Sequence, residues 1–193
     1  MAKRFSKTLG KRTHANTHSS ISSLNEEEGL DLIDRMPEPP FLLILDQVQD
    51  PRNLGACLRS ADGAGVNLVV IPSDRSVGLT DVVRHVAAGA AESIPLMRAR
   101  NLARLLEELR SRNVRLLGTS DQATSTLYEV DCSGPIGLVM GAEGTGMRRL
   151  TGEKCDQLIK IPMFGKVECL NVSVATGVCL FEIARQRQML SGA

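Results

Sequence analysis

Aromatic side chains are scarce. The 193 residues hold no Trp, one Tyr (Tyr128) and four Phe (Phe5, Phe41, Phe164 and Phe181). That scarcity argues against a single-strand binder that stacks bases on aromatic platforms. Long apolar runs are lacking too. None reaches the ~20 residues that a membrane span needs, and the basic residues 1–20 carry no apolar secretory segment. Charge of one sign is also missing: a net charge of +1 gives no global case for nucleic-acid binding, although a local patch stays open. The five Cys are odd in number and no two are spaced C-x-x-C, which argues against a disulfide framework. A reducing, cytoplasmic setting without a membrane partner is the expectation.

What is present divides into two parts. Residues 1–40 are expected to form a basic, disordered arm and linker, with residues 41–193 as one domain. The arm carries Lys3, Arg4, Lys7, Lys11 and Arg12, and no acid precedes Glu26. A flexible arm contacting phosphates is the alternative to a plain solvated tail. His14 and His18 have helical spacing but no Cys or carboxylate beside them, so no metal site is expected. Glu26-Glu-Glu28 and Pro37-Glu-Pro-Pro40 read as linker, and the prolines forbid helix just before the core.

From Phe41 the pattern becomes regular. Leu42-Leu-Ile-Leu45 is a continuous apolar run, as in a strand buried on both faces. Similar short runs fall at residues 67–71, 94–97, 114–117, 136–140 and 158–161. Helices are expected at 53–64, 80–88, after Asn101, and at the C-terminus. In the last of these, Leu170, Val174, Val178 and Phe181 share one face, expected to be mostly buried. Strands alternating with helices mean an α/β fold with a parallel sheet and right-handed crossovers. Ligands then bind beyond the carboxyl ends of the strands. Four loops of unusual composition lie there, at residues 46–53, 118–121, 141–146 and 162–171.

Three segments carry the chemistry. In Asn53-Leu-Gly-Ala-Cys-Leu-Arg59, Asn53 is a plausible N-cap, Gly55 suggests a close backbone approach, and Arg59 flanks the core stripe. A surface Arg with a buried stem is the plain alternative. Gly141-Ala-Glu-Gly-Thr-Gly146 follows a strand but fails two nucleotide templates. Met147-Arg148 stand where a P-loop needs Lys and Ser/Thr, and the glycine offsets miss G-x-G-x-x-G. A glycine-rich turn admitting a ligand to the backbone survives, with Glu143 as an acceptor; a tight turn with a solvent-facing Glu is the alternative. Residues 165–177 form a charged turn leading to Asn171 and Ser173, both good helix starters. No Gly-x-Ser-x-Gly elbow exists, and His85 sits in an ordinary helical pattern.

Asn53-Leu-Gly-Ala-Cys-Leu-Arg59, Leu138-Val-Met-Gly-Ala-Glu-Gly-Thr-Gly-Met147 and Leu170-Asn-Val-Ser-Val-Ala175 resemble, in order, three motifs of the SpoU/TrmH branch of the SPOUT RNA methyltransferases. The resemblance covers roughly residues 41–187. Ala87-Ala-Gly-Ala-Ala-Glu-Ser93 and Met147-Arg-Arg-Leu150 are most similar to members that methylate a guanosine 2′-hydroxyl in 23S rRNA.

The resemblance implies a C-terminal trefoil knot, a rare topology that patterning does not yield. It implies S-adenosylmethionine as cofactor, bound around Gly141, Ile161, Cys169 and Leu170 with Thr119 nearby, and a homodimer whose active site is completed across the interface. Arg59, Asn53, Glu143 and Asn171 would be catalytic. A guanidinium is a poor base, so Arg59 reads as a phosphate clamp and oxyanion stabiliser. Arg52, Arg84 and Arg148 would hold RNA by analogy of location. A tRNA target is the nearest alternative to rRNA; a non-catalytic RNA-binding or ribosome-assembly protein on the same fold is the other. Two features depart from the family. Residues 1–40 are too short and polar for the N-terminal RNA-binding domain of related ribosomal enzymes, and Cys169 replaces the usual Ser.

Overall fold

The apolar runs pair side by side, all in one direction. A computed structural model of the chain describes residues 23–191. It places β1 (Phe41–Leu45), β2 (Leu68–Pro72), β3 (Leu96–Ala99), β4 (Arg115–Thr119), β5 (Ser125–Thr126), β6 (Ile136–Met140) and β7 (Gln157–Lys160) in one sheet. The order is β3-β2-β1-β6-β4-β7-β5 and every pairing is parallel. Side chains alternate across the sheet. Phe41, Leu43 and Leu45 enter one core while Leu42 and Ile44 enter the other. Helices α2 (Pro51–Ala64), α3 (Asp81–Ala87), α4 (Ala90–Ser93) and α7 (Val172–Ser191) cover the first face. Helices α1 (Glu26–Asp34), α5 (Leu102–Ser111) and α6 (Arg149–Lys154) cover the second. Helix α5 buries Leu102, Leu105, Leu106 and Leu109, and Asn101 caps it by accepting from the Arg104 N–H at 3.1 Å.

Three expectations are corrected. Residues 26–34, read as linker, form α1. Asn25 and Glu28 make a capping box, and the three glutamates of the first turn suit the positive end of the helix dipole. The helix buries Gly29 and Ile33 over β3, and Leu24 bridges to Met97, so the folded unit reaches back at least to Leu24. The capping residue of α2 is Asp50, not Asn53. Pro51 follows at the first helical position, where its missing N–H is harmless. In α7 the buried residues include Val172, Thr176, Cys179, Leu180 and Ile183, whereas Val174 and Phe181 are 52% and 54% exposed. The basic arm with Lys3, Arg4, Lys7, Lys11 and Arg12, and the His14/His18 pair, lie outside the described residues.

The far end of α7 is tied to the start of the sheet. Arg187 stacks over the Phe41 ring at 5.2 Å and donates to the carbonyls of Pro39 and Gly134. No helix among the described residues is long and apolar enough to cross a membrane.

Candidate active site

The carboxyl ends of the central strands carry the site. Beyond β6 the chain folds into a tight turn over residues 141–146. Ala142 and Gly146 exchange N–H···O bonds of 3.1 and 3.0 Å, and Gly144 and Gly146 have φ of +74° and +66°. A Cβ on Gly141 would lie 2.3 Å from the backbone of Gly146 and Met147, so this position admits only glycine. Asp46, fully buried after β1, accepts from the Arg148 backbone N–H at 3.0 Å and from its Nε at 2.8 Å. That charge-assisted clamp fixes the exit of the turn. The Arg148 guanidinium is thus held on the Asp46 carboxylate, with its side chain 37% exposed.

Glu143 points out of the turn towards the start of α7. Its Oε1 accepts from the Asn171 side-chain amide and, at 3.2 Å, from the Val172 N–H. Its Oε2 has no partner among the described residues. The Asn171 amide also donates to Asn53 Oδ1 at 3.2 Å, while Asn171 Oδ1 caps α7 by accepting from the Ser173 N–H at 2.9 Å. Early capping of α2 by Asp50 is what leaves the Asn53 side chain available to reach Asn171. Beneath this node, Thr176 is buried against Cys57, whose thiol burial pushes up to about 11.

Two cavities meet at the node. The first, about 830 Å³, is lined by Thr119, Gly141, Ile161, Cys169, Leu170 and Asn171, among others. The second, about 680 Å³, is lined by Gln47, Gln49, Asp50, Asn53 and Arg75. Ala142, Glu143, Thr145 and Val172 line both and so form the wall between them. Asn53, Glu143 and Asn171 are thus brought together. Arg59 is not among them: it is exposed on α2, lines neither cavity and has no ion pair among the described residues. Arg52 is exposed at the start of α2, and Arg84 is held by Glu92 at 2.6 Å. Sequence reasoning missed Asp46, Gln47, Gln49 and Arg75 as individual residues; position in a loop at a strand's carboxyl end was the available signal for the first three. Among the described residues no three His, Cys, Asp or Glu side chains gather as a metal site.

The chain has relatives among known proteins. A model of the SpoU rRNA Methylase family matches residues 40–181. The chain belongs to that family. A Pasteurella multocida protein named 23S rRNA (guanosine-2'-O-)-methyltransferase RlmB is 55% identical over 188 residues, covering 93% of this chain and 76% of the relative. A Photorhabdus laumondii protein of the same name is 63% identical over 150 residues, covering 78% of this chain and 62% of the relative. The chain therefore spans between about three fifths and three quarters of these relatives. Among solved structures, the SpoU methyltransferase AviRb from Streptomyces viridochromogenes, in complex with AdoMet, superposes with a TM-score of 0.74 at 25% identity, over 83% of this chain and 65% of that one. The A. aeolicus TrmH/SpoU tRNA modifying enzyme gives 0.73 at 27% identity, over 86% of each.

The larger cavity suits a methyl donor of the family. Its volume falls in the ~300–1,000 Å³ range of small-molecule sites. Met140, Met147, Ile161, Met163 and Leu170 offer apolar walls, and the glycine turn exposes backbone polar groups beside them. Gly141 is closed to any side chain because the backbone of the turn itself stands there.

Proposed function

We propose that this chain transfers a methyl group from S-adenosylmethionine to the ribose 2′-hydroxyl of a guanosine in 23S rRNA. The observation that carries the reading is the Asn53–Asn171–Glu143 node on the wall common to two cavities. A donor in the larger cavity and a nucleotide in the smaller one meet across that wall. The donor, when bound, supplies an electrophilic methyl on a sulfonium. Thr119, Gly141, Ile161, Cys169 and Leu170 hold it. Glu143 Oε2 is left to accept from a ligand hydroxyl, and Asn171 and Asn53 fix the carboxylate's direction, so positioning supplies much of the rate. The rRNA-named relatives are 55–63% identical, against 27% for the tRNA-modifying neighbour, which favours rRNA over tRNA.

Arg59 acts as phosphate clamp and oxyanion stabiliser, delivered by one protomer to the site of its partner in a homodimer. Support comes from the surface it occupies. Val174 and Phe181 are more than half exposed on α7, and Phe181 lies 3.4 Å from where a Cβ on Gly63 of α2 would stand. One partly apolar surface therefore carries Arg59. Sedimentation showing only monomers at micromolar concentration would refute the dimer. Arg52 and Arg84 hold RNA phosphates; the exposed Arg84–Glu92 pair is weak enough to exchange partners. The chain works in the cytoplasm, where its substrate is made. The C-terminal region forms a trefoil knot. Support comes from the path out of β7 through residues 161–171 to α7, where Val172 bonds to Glu143 of the β6 loop. An unthreaded path in a crystal structure would overturn it.

The test is transfer of radiolabelled methyl from S-adenosylmethionine to 23S rRNA and, separately, tRNA, each lacking 2′-O-methyl marks. Label is expected in rRNA. Arg59→Ala should lower transfer by about 10²–10³-fold, the scale of losing one oxyanion donor, while leaving donor affinity within about twofold. Unchanged transfer would sink the role of Arg59; donor binding without transfer to either RNA would leave the non-catalytic scaffold.

A further inference from the structure

The smaller cavity, with Gln47, Gln49 and Arg75 on its walls, takes no role in donor binding. Most of the side chains around it are polar, it abuts the node through Asn53 and Glu143, and Gln47, Gln49 and Arg75 come from two loops that the fold ties together. Val48, buried, accepts at its carbonyl from the Val77 N–H at 3.2 Å and from Ser76 Oγ at 3.3 Å. The β1 loop and the loop after β2 are thereby locked side by side. Gln47 and Gln49 flank the buried Val48, and Arg75 faces them from the other loop.

The backbone supplies an independent sign. Gln47 and Arg75 have φ of +67° and +57°, in the left-handed region. Among the described residues only four non-glycine residues do so, and two of them line this one cavity. Neither Gln nor Arg is favoured there, in contrast to Asn or Gly. Such strain collects where a side chain is held for a ligand.

We infer that this cavity is a base subsite that selects guanine, with Arg75 and the amides of Gln47 and Gln49 as its reading groups. The inference rests on the methyltransferase reading above. A guanidinium fork matches the O6 and N7 acceptors of guanine. A carboxamide can accept from N1–H or N2–H and donate to O6, reading the Watson–Crick edge of an unstacked base. Adenine presents an N6 amine where guanine presents O6, and so sets donor against donor. The ribose of a base seated here lies beside Asn53 and Glu143, next to the donor cavity.

The test uses the full chain in two arms. In the first, binding of 5′-GMP and 5′-AMP is measured directly by calorimetry or by NMR shift perturbation. In the second, transfer to 23S rRNA is followed, and the methylated position is then replaced by adenosine or inosine. Wild-type protein is expected to prefer GMP over AMP, and guanosine over adenosine at the target by about tenfold or more, the scale of one bidentate pair. Inosine, lacking the N2 amine, should fall between. Arg75→Ala should lower kcat/KM for guanosine about tenfold and bring the guanosine-to-adenosine ratio within about threefold, with donor affinity unchanged. Gln47→Gly, which keeps the left-handed backbone comfortable, should lose inosine discrimination first. If Arg75→Ala and Gln47→Gly both keep wild-type base preference, the subsite is overturned, even with transfer intact. If GMP preference is present and Arg75-dependent while no RNA is methylated, the subsite stands and the methyltransferase reading falls instead.

Discussion

Asn171 does two jobs with one side chain, and they can be separated. Its amide nitrogen joins Asn53 to Glu143, and its oxygen caps α7 through the Ser173 N–H and hydroxyl. Asn171→Ala removes both functions. It should cost about 1 kcal/mol of stability, the usual worth of a cap, and lower transfer by about 10²-fold through a misplaced carboxylate. Asn171→Ser keeps a capping oxygen but cannot bridge the other two side chains, so stability should return and transfer should not. Denaturant midpoints and initial rates measured on both variants decide the matter. A Ser variant with the parental rate would remove Asn171 from the catalytic group. At this scale Asn53, Glu143 and Asn171 were grouped through the motifs that resemble the family; local pattern alone read Asn53 and Asn171 as helix starters and left Glu143 either an acceptor or a solvent-facing turn residue. The clamp of Arg148 on Asp46 was not legible, because the two lie 102 residues apart and no local pattern reports such a pair. The backbone strain at Gln47 and Arg75 was invisible for another reason: a positive φ on a long polar residue leaves no mark in composition or periodicity.

Helix α2 shows how an element is placed. A glycine in its interior loses roughly 1 kcal/mol of helix stability against alanine, yet Gly55 stands there. A Cβ at that position would meet Val86 Cβ at 2.7 Å and the Val83 carbonyl at 2.8 Å, both on α3. The close approach inferred from sequence is thus the seat of α3 on α2. Steric overlap with a backbone carbonyl outweighs the gain in propensity. Gly55→Ala should therefore destabilise by about 1–3 kcal/mol, lowering Tm by roughly 2–4 °C for each kcal/mol in a domain of this size. Thermal melts check this, and a raised Tm would contradict the packing. Continuous strands and long amphipathic helices were legible because burial and period act locally. The short α4, α6 and β5 were not, since two to six residues carry no period and exist only by contact with the sheet. Helix α7 was found, but its buried face was set one step wrong. Leu170 precedes the helix, and Val172, not Val174, turns inward.

Across the whole molecule four of the five thiols, all but the exposed Cys169, serve as small apolar side chains, and this gives the fold an alkaline weakness. Cys57 and Cys179 are fully buried, Cys132 likewise, and Cys155 is partly so. Burial pushes Cys57 and Cys132 up to about 11, and Cys155 and Cys179 up to about 12, from an ordinary 9.0. Below pH 9 folded and unfolded chains both keep these protons, so the thiols give stability no pH dependence. Above it the unfolded chain releases protons that the folded chain retains. The native state then binds more protons, and stability falls as pH rises. Between the two pKa values each thiol contributes a loss of up to about 1.4 kcal/mol per pH unit. Urea midpoints should agree at pH 7 and 8 as far as the thiols are concerned, and drop by pH 10. The informative comparison is with Cys179→Ala. That variant should be less stable at neutral pH, because it leaves a small cavity under α7, yet its stability should decline less steeply from pH 9 to 11. Parallel slopes for the two proteins would show that Cys179 is open to water, and would contradict the packing of α7 against the sheet.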